Sequence, residues 1–564
     1  MRFLLFISLG LTLFSQAQES KAFEVKVVIH PVVQKLKDPR VAPELLTQPL
    51  AISTQSELAS NHILAGIFHL NGPWDFEAYR HFTAAAKADP DCLMAYWGIA
   101  MSLGGLNHEF FSQRKEAVDR MLDLLEAGVG VEWEKGFAQA AGRLYANGAA
   151  AAAEVYGKLA EQYPNNLTAQ IFALILDRDG YSESGYTNPG QKKAIEGLKT
   201  LVKANPENVG VISAWAITSG EAPLDSITLR DEILPYARKL ARLHPAYPPF
   251  HMLVAHIASR GGVANLALDH ARQAVKLYEE YCKREKVSVY DCPGIVRARV
   301  YLSTLLAGVD QFEEARKIAN SLARTKIAET RVFSQGASAL LWEGRSLGPR
   351  LALSKGTLDE LEHGLSLLKV FKDEEWFDDE DLEKKKSLAV SYRNALAYCI
   401  GVRKALLKND DPAINGLYRG LIERVKKIDT EMALARETSS YSEYLRARNT
   451  IEVFAVELRG MIAMRKEGAM KQAALSWFKS AADRQSRPLS LLPPSISYPM
   501  EIRIGEFYLA TDEPEKAAKA FVEGNERMPN HLGSLRGYRA AVLKMGENDL
   551  AKQIAERIEK VKGQ

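Results

Sequence analysis

Little in this sequence commits it to a chemistry. Four cysteines in 564 residues (Cys92, Cys282, Cys292 and Cys399) are too few for a disulfide-scaffolded domain and lack the spacing of a zinc site. Only Cys282 and Cys292 are placed for a bridge, which would staple the loop Lys283–Asp291 between them; two separately buried thiols is the other reading. Excess charge of one sign is missing too. Lys plus Arg number 73 against 70 Asp plus Glu, so no global field would hold nucleic acid or an anionic membrane. Beyond Phe3–Phe14 no apolar run approaches the roughly 20 residues of a membrane-spanning helix. Walker loops, Gly-x-Ser-x-Gly elbows, His-Glu-x-x-His helices and Gly-x-Gly-x-x-Gly fingerprints are all absent. No catalytic residue or cofactor is therefore assigned, and the chain reads as a non-enzyme.

What is present begins with a leader. Met1-Arg2, the apolar run and small residues through Ala17 predict a signal peptide over 1–17, cleaved near Ala17, and a mature protein in the periplasm or outside the cell. Residues 18–52 read as an extended segment, with strand-like alternation only in Phe23–Val27.

From about Ser53 onward, apolar residues recur at three- and four-residue spacing, which predicts an all-α chain. Superimposed on it is a period near 34 residues. At the C-terminal end Ile504-Gly505, Tyr508, Ala517, Phe521 and Pro529 hold a fixed register, followed by Gly546, Ala551, Ala555 and Ile558. Near the other end Gly66, Ala78, Phe82, Ala85 and Pro90 repeat the same spacing, and Ala152/Tyr156/Pro164, Ala194/Leu198/Pro206 and Ala255/Ala267/Ala271/Ala274 mark weaker copies. Small residues where paired helices touch, at this period, define the tetratricopeptide repeat, whose units stack into an α-α superhelix with a concave groove. The expected organisation is a central solenoid over 53–345, atypical hairpins over 346–490 and a terminal repeat pair over 491–564. Two features interrupt it: eight acidic residues between Asp373 and Glu383, read as a solvated helix start, and the proline-rich connector Ser486–Pro499.

Three stretches, Asp89–Gly98, Pro248–Ile257 and Tyr498-Pro499 leading into Ile504-Gly505, resemble a family of uncharacterised bacterial exported tetratricopeptide-repeat proteins. The resemblance implies the fold and no defined activity. Family members carry two histidines one helical turn apart in the central motif; here His251 and His256 are five apart, and Val211–Ala216 upstream has no histidine.

Repeat register places Met252, His256, Ser259 and Arg260 on the inner face of one helix, and Glu506, Arg536 and Lys544 on the inner faces of the last two repeats. These are the expected contacts to a protein or peptide partner. The competing reading is a metal site or metal-dependent enzyme using His251, His256 and His270, although five-residue spacing sets His251 and His256 about 140° apart around a helix, too far to share one ion. His62 and His69 fall at large packing positions. Five tryptophans scattered through helices read as core rather than as sugar platforms.

Overall fold

In the computed structural model, residues 29–46, 50–105, 108–182, 186–369, 380–436, 441–485, 492 and 494–562 are described. The expected signal peptide, Phe23–Val27 and the side chains of the acidic run 373–383 lie outside them. The chain is an all-α superhelix of antiparallel helix pairs, and no strand occurs among the described residues beyond one isolated bridge between Tyr181 and Thr187. Local chemistry sets the helix starts. Ser56, Asn166, Asn208 and Asp410 each accept a backbone N–H from the first turn of the helix they precede, satisfying donors that the helix itself cannot. Ends fall at Gly148, Gly356 and Gly546, all with positive φ.

Pairs lock through glycine and an aromatic ring. A Cβ on Gly66 would lie 2.6 Å from the Phe82 ring and one on Gly98 only 2.0 Å from it. The C-terminal copy repeats this: a Cβ on Gly505 would lie 2.5 Å from the Phe521 ring and one on Gly537 2.1 Å from it. Backbones thus approach to the thickness of one ring, which is why the period demands glycine there. The largest core cluster extends from Val33 to Val561, with a second around Trp215 and Phe250 and a third around Phe521. Trp97, Trp215 and Trp342 are buried in the apolar interior.

Two differences from the sequence reading concern boundaries. Residues 29–46 carry a helical turn, Pro31–Gln34, and a 3-10 turn, Pro43–Leu45, held to the first repeat by Arg80 donating to Lys37 O and by Tyr79 Oη accepting from His30 N. The boundary expected after residue 345 falls within unbroken helix, because Gln335–Ala339 continues through a π-helical turn, Leu340–Gly344, into Arg345–Lys355.

Successive turns of the superhelix touch. Arg80 meets Tyr281 at a separation of 201 residues, Arg331 meets Glu109 at 222, and Asn530 donates to Gly262 O at 268. The chain itself thereby fills much of its concave side.

Candidate functional site

The Pro248–Arg260 helix starts on a proline pair and ends before Gly262, whose φ is positive. Its inner face is covered. Met252 is 3% and His256 0% exposed, which corrects their expected role as groove contacts. His256 lies between the Tyr301 hydroxyl (Nδ1, 3.0 Å) and the Gly220 carbonyl (Nε2, 3.3 Å). A carbonyl only accepts, so Nε2 carries the proton and Nδ1 accepts from Tyr301. Burial, reinforced by Arg260, holds the imidazole pKa at about 3, and the ring stays neutral. Arg260 donates to Gly220 O and to Ala222 O, the latter at 2.7 Å. It caps the C-terminal carbonyls of the Val209–Glu221 helix instead of facing a ligand.

The remaining inner-face residues are engaged within the chain. Arg536 pairs with Asp310 across the superhelical seam. Lys544 donates to Leu509 O and to Asp512, and Glu506 accepts from Arg503 at 2.8 Å. Met252 lines one cavity, and Ser259 and Arg260 line another.

That cavity is a cleft of ≈ 90 Å³ where the central helices meet the C-terminal repeats, about the liquid volume of three waters. Leu268, Leu305, Val309, Pro494, Met528 and Pro529 make most of its wall. Polar groups converge on it from Ser259, Tyr301, Ser497 and His531. The Tyr301 hydroxyl, having given its proton to His256, accepts at 3.2 Å from Ser259 Oγ. His531 hydrogen-bonds the Ser497 backbone and has its pKa held near 4 by burial. Its Nδ1 and the Ser497 hydroxyl are buried without a partner among the described residues. A mostly apolar concavity with a few unsatisfied polar atoms is the ordinary form of a recognition site. Sequence reasoning took Pro494 as connector and Pro529 as a repeat terminator. Both are, and the same bends bring Ser497 and His531 onto the cleft.

Of the central histidines, His251 and His270 meet, Nδ1 to Nδ1 at 3.0 Å, whereas His256 points elsewhere. The expected trio therefore does not assemble. Burial, then the neighbouring His251, takes the His270 pKa to about 4. Cys282 and Cys292 are free thiols.

The sequence matches no family model and no curated protein. Among solved structures the chain is similar to the P58(IPK) TPR domain, at 11% identity over 87% of this chain and 99% of that one, with a TM-score of 0.18. A circular tandem repeat protein with novel repeat topology (12%, 90% and 96%, TM-score 0.18) and Naa15/Naa10 bound to HypK-THB (10%, 89% and 94%, TM-score 0.18) are comparable. At that TM-score these likenesses carry no argument, and the fold rests on the helix pairing described above.

Proposed function

We propose that the protein is an exported interaction scaffold and that the cleft between Ser259 and His531 receives an apolar side chain of a protein or peptide partner. The observation that supports this reading is the combination of aliphatic wall and unpartnered buried His531 Nδ1 and Ser497 Oγ. An entering segment would bury its side chain against Leu305 and Val309, worth about 1.5–3 kcal/mol. A repeat superhelix offers such rigid concave surfaces to protein partners as a matter of architecture.

Gly308 provides the test. It is helical, and a Cβ there would sit 4.0 Å from His531 with no clash. Gly308→Leu fills the cleft without forcing the backbone. Cross-linking of the intact protein in its envelope or extracellular fraction, mapped by mass spectrometry, is expected to place a partner segment beside Val309 and Met528. Gly308→Leu abolishes that cross-link, whereas Gly157→Leu, at a helical glycine with nothing within 4 Å, retains it. Equal cross-linking in both variants rejects the cleft.

A further inference from the structure

A second histidine pair repeats the geometry of His251 and His270. His62 and His81 are also 19 residues apart and also meet Nδ1 to Nδ1 at 3.0 Å. Both pairs join the two helices of one repeat, at equivalent positions relative to Gly66 and Ala255. The first repeat adds what the central one lacks. His69 and Glu77 are buried beside His81, and one ligand atom from each of His69, Glu77 and His81 lies within 4.8 Å of the other two. We propose that His69, Glu77 and His81 bind a divalent, imidazole-preferring metal ion such as Zn²⁺, with His62 positioning His81.

The hydrogen bonds leave the right atoms open. Tyr247 Oη donates its one proton to Gly72 O at 3.0 Å. Its oxygen must then accept from His69 Nδ1, 3.2 Å away, so His69 is protonated on Nδ1 and bare on Nε2. If His81 Nδ1 donates to His62 Nδ1, His81 Nε2 is bare as well. In that tautomer each ring is fixed through Nδ1 by an acceptor and presents Nε2, the usual outer-shell arrangement of ligating histidines. Neither Nε2 has a hydrogen-bond partner among the described residues. Ring centroids of His69 and His81 lie 5.1 Å apart, a separation that allows both rings to reach one ion at the roughly 2.0 Å of a Zn–N bond.

Charge favours a cation. Arg80 is shared by Glu77 and Glu285, at 2.8 and 3.2 Å, so two carboxylates face one guanidinium. Glu77 also accepts from Tyr281 and keeps further lone pairs for an ion. Imidazole with carboxylate is a donor set that zinc accepts. Trp74 meets His69 edge-on and Tyr247 stacks on it. His69 comes from Glu57–Asn71 and the other two ligands from Asp75–Ala88; the ion would staple the first helix pair and bind as that pair folds.

Full-length protein, unfolded and refolded with a chelator and then with Zn²⁺ or Co²⁺ alone, tests this by elemental analysis and visible absorption. The expected result is about one tightly held equivalent, with the visible bands of tetrahedral Co²⁺. His69→Asn and His81→Asn should each lose it, His62→Gln should weaken it roughly 10–100-fold, and His270→Asn, at the counterpart position, should retain it. Wild-type protein that refolds with no bound metal and no Co²⁺ spectrum overturns the proposal even if the variants do not fold. Full retention in both His69→Asn and His81→Asn does so too.

Discussion

Single residues in this molecule are decided by what the folded chain places against them. His256 shows this best. Repeat register predicts an inner-face position for it, but the ring is covered by Tyr301 and by the end of the Val209–Glu221 helix. Register gives direction around a helix and is silent about what arrives there. The consequence is a pH dependence. Burial lowers the His256 pKa from 6.5 to about 3, so below pH 6.5 the unfolded chain binds a proton that the folded chain refuses. Stability contributed by neutral His256 is whole above that point and falls as pH drops toward 3, by about 1.4 kcal/mol per pH unit while only the unfolded form is protonated. Gln keeps one donor and one acceptor and does not titrate. Urea unfolding of His256→Gln between pH 6.5 and 4 should therefore show a slope shallower by about one proton. An unchanged slope would mean that the imidazole titrates in the folded protein.

At the scale of helices, the sequence was most legible where backbone approach forbids a side chain. Gly66, Phe82, Gly505 and Phe521 were identified by spacing, and all four take part in the glycine–ring contacts that hold the pairs. Gly98 and Gly537 close the same rings from the following helix, each 32 residues after the glycine on the other side of its ring. Adding one methyl at Gly98 or Gly537 forces the ring or the helix to move. Gly98→Ala and Gly537→Ala should each cost roughly 1–3 kcal/mol by chemical denaturation. Gly157→Ala, where nothing lies within 4 Å, should instead gain about 1 kcal/mol from helix propensity alone. If all three substitutions raise stability, propensity and not ring clearance governs these positions.

Across the whole molecule, the 34-residue period encodes contacts between neighbouring units only, and this explains what could not be read from it. The pairs that bring the turns of the superhelix together, Arg536 with Asp310 and Arg80 with Tyr281, join residues whose own repeats give no sign of each other. The cleft at His531 lies on such a seam, so it was not visible as a constellation in the sequence; the cluster around His81 lies within the first helix pair, where His62 and His69 read only as packing positions. The N-terminal seam carries the greater electrostatic risk. Arg80 is 1% exposed and compensates Glu77 and Glu285 while donating to Lys37 O. Arg80→Met preserves most of the apolar stem but leaves two carboxylates facing each other in a poorly solvated space. Removing one partner of a buried ionic group costs about 3–5 kcal/mol. The variant should lose about that much stability and show a larger radius of gyration by small-angle X-ray scattering as the first repeat separates from the Ala264–Glu285 helix. Lost stability with unchanged dimensions would assign closure of the seam to the aromatic contacts among Phe68, Trp74, Tyr247 and Tyr281, leaving the arginine to neutralise charge within a turn already closed.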